Sequence, residues 1–401
     1  MIKKVYLAAT LALLFSKSAF ANNQDSVFKK KTLRKTDIEI LYSHYLQDGN
    51  NSAVTGGKGT EKLSVSAPSV NLSTSGKNLS WKLKAGTDII TSASTDNIDF
   101  VQSSASRRDA RTYANLSALM PVSKQINLEL GSGFSVESDY LSRSLMAAIN
   151  GQSKNKMRQW LLESKCYFDD LRWGRLNPNY KRPVRLVYPV ELRNQDWFTN
   201  YKRQSFNVKF GLSQVVNKRN VIGIYPTLTL QNGLLSTPFH RVVFNNSETR
   251  VENLPDQRIK LAISSKWNTF IGGRLVLKNT IESYWDNFGV NALGIESELA
   301  IKLKNGQTIS PFARLYKQSA SKYFAPYAVH HPDEAFYCSD YDFSRFYSVK
   351  MGVEFKIKRL YQIRKHLDFQ GAAFRYAFYY RSNHLYAHTL SLSLNLQQIH
   401  K

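Results

Sequence analysis

Two adjacent histidines open the densest run of reactive side chains in the sequence. His330-His331-Pro332-Asp333-Glu334 is followed by Cys338, Asp340 and Asp342. Imidazole, thiolate and carboxylate form a ligand set that zinc and other borderline metals accept. His330, His331 and Cys338 are the candidate ligands on that reading. The spacing matches no defined metal site, and neighbouring histidines rarely turn toward one ion. A solvated loop is the expectation, with no metal and no cofactor.

Two other stretches invite chemistry. Gly56-Gly57-Lys58-Gly59-Thr60 suggests a phosphate cradle. A nucleotide loop, however, needs Lys followed directly by Ser or Thr and then a helix. Here Gly59 intervenes and a strand follows, so a tight surface loop is expected. Hydrolysis would need a nucleophile, a base and an orienting acid. His384 and His388 are available, but His388 shares parity with Leu390 and Leu392, and no Ser, His and acid spacing stands out. An outer-membrane lipid hydrolase is the weakest reading, and no enzyme is expected.

A third set is electrostatic. Lys209, Lys260, Lys266, Lys278, Glu282, Glu296, Glu298, Lys302, Arg314, Lys350, Glu354 and Lys356 all fall on the polar side of alternating segments. Charge rings inside a pore select ions by sign. Alternatively, such charges pair across strands and fill a plugged barrel. The stretch 171–201 carries Arg172, Arg175, Lys181, Arg182, Arg185 and Arg193. It is the candidate constriction, and its positive potential suits the phosphates of lipopolysaccharide equally well.

What must position these groups is a strand, because the dominant pattern has period two. Leu293, Ile295, Ser297, Leu299, Ile301 and Leu303 alternate with Gly294, Glu296, Glu298, Ala300, Lys302 and Lys304. A strand sends successive side chains to opposite faces, so one face is apolar and the other charged. Val349 to Ile357 and Leu390 to Leu396 repeat the pattern. Strands are expected at 36–48, 60–73, 78–92, 108–121, 124–137, 141–150, 156–170, 202–216, 219–232, 257–270, 273–286, 291–304, 308–321, 344–358, 368–381 and 385–397. Short turns such as Asn305-Gly306 alternate with long connections such as 171–201, 233–256 and 322–343. That alternation fits a transmembrane antiparallel up-and-down β-barrel of about sixteen strands (range about 14–18), with short periplasmic turns and long outer loops. Aromatic residues at strand ends (Tyr42, Tyr45, Phe134, Tyr140, Tyr284, Trp285, Tyr323, Phe324) fit interfacial girdles.

The first residues suit export. Lys3 and Lys4 precede an apolar run from Val5 to Phe15, and Ala19-Phe20-Ala21 gives a small-x-small cleavage pattern. The run is too short for a membrane helix of roughly 20 apolar residues. The expected organisation is a signal peptide at 1–21, a basic periplasmic lead-in at 22–36 and a barrel at 37–401. Removing the signal deletes Lys3, Lys4 and Lys17 and no acid, taking the formal charge from +25 to +22. Export argues against nucleic acid and leaves anionic lipid headgroups or an anion-favouring lumen. Mean hydropathy is −0.38, as expected where apolar and polar faces average out. Cys166 and Cys338 are too few for a disulfide scaffold. One bridge or two free thiols both remain open.

Several segments resemble the domain of unknown function 3570 family, a group of Gram-negative outer-membrane barrels. They include Tyr45-Leu46-Gln47-Asp48-Gly49-Asn50, Gly233-Leu234-Leu235-Ser236-Thr237-Pro238-Phe239, Glu252-Asn253-Leu254-Pro255-Asp256-Gln257-Arg258, Tyr284-Trp285-Asp286-Asn287-Phe288-Gly289-Val290 and Ser339-Asp340-Tyr341-Asp342-Phe343-Ser344. The resemblance implies a cell-surface barrel and brings no activity, substrate or catalytic residue. One departure is the ending Gln398-Ile399-His400-Lys401, where many such barrels finish on an aromatic read by the insertion machinery. The expected function is a pore or transport component with a basic, weakly anion-favouring lumen. The alternative is a plugged barrel acting as a surface scaffold or binding protein. Expected partners are outer-membrane lipids and lipopolysaccharide, the barrel-assembly machinery, and an unidentified periplasmic or surface protein.

Overall fold

The computed structural model describes residues 34–76, 78–92, 108–137, 140–171, 201–237 and 239–400. Its strands, in chain order, are β1 (Arg34–Asp48), β2 (Leu63–Ser75), β3 (Ser80–Ser92), β4 (Arg108–Pro121), β5 (Ile126–Val136), β6 (Leu141–Gln152), β7 (Arg158–Asp170), β8 (Lys202–Val215) and β9 (Asn220–Gly233). Then come β10 (Arg241–Val243), β11 (Thr249–Val251), β12 (Gln257–Phe270), β13 (Leu275–Asp286), β14 (Asn291–Lys302), β15 (Gln307–Gln318), β16 (Phe346–Ile357), β17 (Tyr361–Arg364), β18 (Leu367–Arg381) and β19 (Leu385–His400).

Sixteen of these close an antiparallel ring. Each pairs with the next through β9, β12 follows β9, β16 pairs with β18, and β19 pairs with β1. Closure leaves no open edge, so every backbone donor and acceptor of the wall has a neighbour strand to bond. The spans run from 11 residues in β5 to 16 in β19. That meets or exceeds the ~9–11 residues a tilted strand needs to cross a bilayer. No described helix is long and apolar enough to cross a membrane.

The expected strands are all present, with ends shifted by at most three residues. β1 starts at Arg34 rather than at residue 36, because the wall still has partners there: Arg34 pairs with His400, and Thr36 Oγ1 lies 2.9 Å from Thr74 Oγ1 and 2.8 Å from His400 Nε2. Two features were not expected. One is the β10–β11 hairpin inside the connection from β9 to β12. The other is β17, a four-residue strand that pairs with the start of β18.

Alternation sorts the faces as expected. Ile40, Leu116, Leu130, Leu145, Leu162, Phe210, Ile224, Leu261, Ile295, Leu315, Met351 and Leu392 are exposed on the outside. In water such a continuous apolar belt would be an aggregation hazard, whereas in lipid it is the solvated face. The turns follow from local chemistry. Asn305 and Gly306 both take positive φ, 58° and 73°, as a two-residue hairpin matched to strand twist requires. The turns 76–79, 122–125, 153–157, 216–219, 271–274 and 303–306 lie at the end of the barrel that holds Arg34 and His400, and the long connections lie at the other, together with the short ones 137–140, 287–290 and 382–384.

The aromatic expectation divides. Phe134 and Trp285 are exposed on the outside near the long-loop end, joined by Phe168, Tyr347 and Tyr386. Trp81, Trp267 and Tyr361 stand near the opposite end. Tyr45, Tyr140 and Tyr284 instead share the inward face, and Tyr323 and Phe324 belong to a loop. The reason is the pleat itself: Tyr284 and Trp285 are adjacent, so they must face opposite ways.

Candidate functional site

The interior face is the candidate site, and strand register decides which side chains reach it. Opposite the apolar belt lie Lys260 on β12, Lys278 on β13, Glu296 and Glu298 on β14, Arg314 on β15, and Lys350 and Glu354 on β16. Many of these charges are paired. Lys278 Nζ is 2.7 Å from Glu298 Oε1, and Arg375 reaches the other oxygen of that carboxylate at 3.5 Å. Arg314 Nη2 is 2.7 Å from Glu282, and Glu354 is 3.9 Å from Lys356. Lys260, Glu296 and Lys350 make no ion pair within 4 Å among the described residues.

The wall from β3 to β12 differs in character. Lys82 pairs with Glu129 at 3.2 Å, Arg111 with Asp88 at 2.9 Å and Arg203 with Asp169 at 2.9 Å. That leaves Lys84, Lys165, Lys209, Lys260 and Lys266 without a carboxylate partner among the described residues. Four of them sit near tyrosine rings instead: Lys165 Nζ is 4.8 Å from the Tyr167 centroid, Lys266 5.4 Å and Lys209 6.0 Å from that of Tyr225, and Lys84 5.9 Å from that of Tyr113. A ring face attracts a cation without cancelling its charge. Glu163, on the same wall, has no ion pair among the described residues. The proposed constriction residues Arg172, Arg175, Lys181, Arg182 and Arg185 lie outside the described residues.

A second zone caps the long-loop end. The connections 49–62, 234–256 and 319–345 pack on one another. Phe244 bridges to His330, Asn253 to Tyr337 and Phe324 to Cys338. Val242, Phe244 and Tyr337 form one small core, and Leu254, Phe288 and Cys338 another. The cap is tied to inward-facing residues of the wall. Gln318 Nε2 donates to the carbonyls of Asp342 and Ser344, at 2.8 and 2.7 Å, and Arg381 Nη1 is 2.5 Å from Asp342. Gly57 takes φ +86°, and a Cβ there would lie 2.7 Å from the Ser339 carbonyl, so only glycine allows that approach. The Gly56–Thr60 stretch is thus a packed loop and not a phosphate cradle.

The histidine and cysteine cluster belongs to this cap, and the solvated-loop expectation is corrected. His330 is 1% exposed and Cys338 0%. Their donor atoms are spent on different partners. His330 Nδ1 is 2.6 Å from Glu334 and its Nε2 3.0 Å from the Cys338 carbonyl. His331 Nδ1 is 2.9 Å from Asn245 Nδ2, and the Cys338 thiol donates to Glu252 at 2.8 Å. Among the described residues no three such side chains are arranged to hold a metal ion. Burial pushes the Cys338 thiol far up, which keeps it a hydrogen-bond donor and not a nucleophile. Cys166, on β7, is also a free thiol. His388 faces outward on β19, where its Nδ1 is 2.8 Å from the Tyr376 hydroxyl.

Three neighbouring groups of the cap, Glu61, His240 and Asp340, are all raised. Burial raises Glu61 to about 7, with Asp342 and Asp340 adding to it against Arg381. Burial alone would lower His240, but Glu252 at 3.6 Å and Asp340 at 3.8 Å outweigh it and hold the imidazole at about 9. Burial and neighbouring Asp342 likewise raise Asp340. Groups with raised pKa bind more protons folded than unfolded, so their stabilisation is complete below the unfolded value and fades as pH climbs through the folded one. The cap therefore weakens across the window from Glu61 to His240. Hydrogen exchange in 319–345, corrected for intrinsic rate, is expected to speed up between pH 6 and pH 9, and Glu61→Gln should flatten the lower part of that rise. Equal protection at both ends would contradict the assignment.

The hairpin was legible but missed. Arg241-Val242-Val243 and Thr249-Arg250-Val251 flank an Asn245-Asn246-Ser247 turn, a short-strand signal hidden inside a long connection.

A closed antiparallel barrel, apolar outside and charged within, is a transmembrane β-barrel of porin-like form. The chain belongs to the family described as Protein of unknown function (DUF3570), whose model matches residues 3–381. No curated protein matches it. Among solved structures it is similar to OpdK of Pseudomonas aeruginosa with vanillate, at 8% identity and a TM-score of 0.42, covering 91% of this chain and 98% of that one. It is also similar to a BenF-like porin from Pseudomonas fluorescens Pf-5, at 8% identity and a TM-score of 0.43, covering 90% and 98%.

Proposed function

We propose that this chain is a pore or transport component of the outer membrane of a Gram-negative bacterium, with a basic, weakly anion-favouring lumen. The observation that carries the reading is the row of inward lysines without acid partners among the described residues, on the β3-to-β12 wall of a closed sixteen-stranded ring. A ring of that size leaves room for water inside. The signal-like residues 1–21 are removed on export, the assembly machinery inserts the chain, and both ends face the periplasm. The positive charge of 171–201 suits the phosphates of lipopolysaccharide. No enzymatic role is proposed.

The test is conductance of the refolded mature chain in a planar bilayer under a salt gradient. A steady current is expected, with a reversal potential of anion-favouring sign. Replacing Lys84, Lys165 and Lys260 together with glutamine should move that potential toward zero. A folded but silent barrel, or a cation-favouring potential, would refute the reading. A second reading, a plugged barrel serving as a surface scaffold, is favoured by the packing of the cap against inward residues. It expects the silent outcome.

A further inference from the structure

One recess of the interior is built differently from the rest of the wall. It lies near the short-turn end, between β5 and β9, and measures about 470 Å³. Its floor is an aromatic ring laid against glycine. A Cβ on Gly211 would lie 3.0 Å from Tyr225 Cδ1, and one on Gly223 2.8 Å from the Tyr225 hydroxyl. Both glycines share the inward face with Tyr225, so the ring lies across them along the wall instead of projecting into the channel. Side chains at either position would displace it.

Around that ring several polar groups are unspent. Asn127, Asn150 and Gln159 line the recess, and their side-chain amides make no hydrogen bond among the described residues. Two carboxylates line it too: Glu163, with no ion pair among the described residues, and Glu129, which Lys82 neutralises at 3.2 Å. Lys266 and Lys209 stand 5.4 and 6.0 Å from the Tyr225 centroid. A flat aromatic face beside free amides matches a molecule with an apolar face and an equatorial rim of hydroxyls. The pair of lysines adds a preference for negative charge.

We propose that this recess is a binding subsite for a pyranose sugar bearing a carboxylate, stacked on Tyr225 with Lys209 and Lys266 taking the charge. The proposal deepens the pore reading by naming a solute class. The stacking ring sets affinity, and the lysines set the choice of acidic over neutral sugar.

The experiment uses the refolded mature chain in detergent, with trigalacturonate and maltotriose as probes, read by titration calorimetry and by blockade of bilayer current. Trigalacturonate should bind and block, and maltotriose should bind more weakly. Tyr225→Leu should weaken trigalacturonate binding by about tenfold, the upper end of what ring stacking supplies. Tyr225→Phe should retain it. Lys209→Gln with Lys266→Gln should erase the preference between the two sugars. Heat-modifiable mobility shows that each variant is folded. No binding of either sugar to the folded wild type, or equal binding by Tyr225→Leu, overturns the subsite. Equal affinity of wild type for both sugars overturns the acidic preference. A barrel that carries no current yet binds trigalacturonate through Tyr225 would keep the subsite and remove the pore reading.

Discussion

Replacing Arg258 with methionine is expected to destabilise the long-loop end of the barrel by about 3–5 kcal/mol, the usual consequence of stripping a buried charge of its partner. The stranded group is Asp286, 1% exposed at the end of β13. Arg258 Nε donates to it at 3.0 Å, and Arg258 Nη2 also contacts the same oxygen. The Tyr284 hydroxyl at 2.8 Å and the Val290 amide at 2.9 Å complete its shell. Methionine keeps the apolar stem and removes the charge, so the carboxylate must be protonated or hydrated. The guanidinium also lies 4.6 Å from the Phe288 ring and 4.9 Å from that of Phe343, tying the wall to the cap. Urea unfolding from lipid vesicles, followed by tryptophan fluorescence, should show the loss. The double variant Arg258→Met with Asp286→Leu should recover much of it, because it buries no unpaired charge. A single variant as stable as wild type would sink the argument.

Phe244→Ala should open the cap while leaving the barrel intact. Phe244 is 0% exposed and packs edge-on to Tyr337 at 4.9 Å between centroids, with the Arg250 guanidinium 4.5 Å from its ring. Emptying such a site costs about 3–5 kcal/mol. The small core belongs to the loops and not to the sheet, so the loss appears as local opening. Cleavage within 234–256 and 319–345 by a dilute protease should accelerate about a hundredfold or more, in proportion to the open population. Heat-modifiable mobility should stay that of a folded barrel, and any measured conductance should rise. An unchanged cleavage pattern would mean that the cap does not depend on this core.

Much of the architecture was already in the residues. The alternation of Leu293 to Leu303 with Glu296, Glu298 and Lys302 determined which side of β14 faces the interior, since a strand offers only two faces. Asn305-Gly306 marked a tight hairpin, because those residues accept positive φ cheaply. The strand count, the long and short ends of the barrel and the inward lysines followed from the same local rules.

The rest required contacts between residues far apart in the chain. His330 and Cys338 read as solvated loop chemistry in sequence, yet loops closing on each other bury them, with Cys338 against Glu252. No period announces a loop-on-loop core, because its hydrophobic contacts have no fixed spacing. Pairing inside the lumen had the same limit. Lys278 meets Glu298 across the β13–β14 ladder, and Arg375 meets it from β18, 77 positions along the chain. The ring of Tyr225 lies flat only because Gly211 and Gly223 come to lie beneath it. The sequence by itself therefore determined strands, faces and turns, which depend on neighbours one or two residues away. Only the tertiary structure decided which charges cancel, what the cap buries and where an aromatic floor forms, because each of these depends on register and closure around the whole ring.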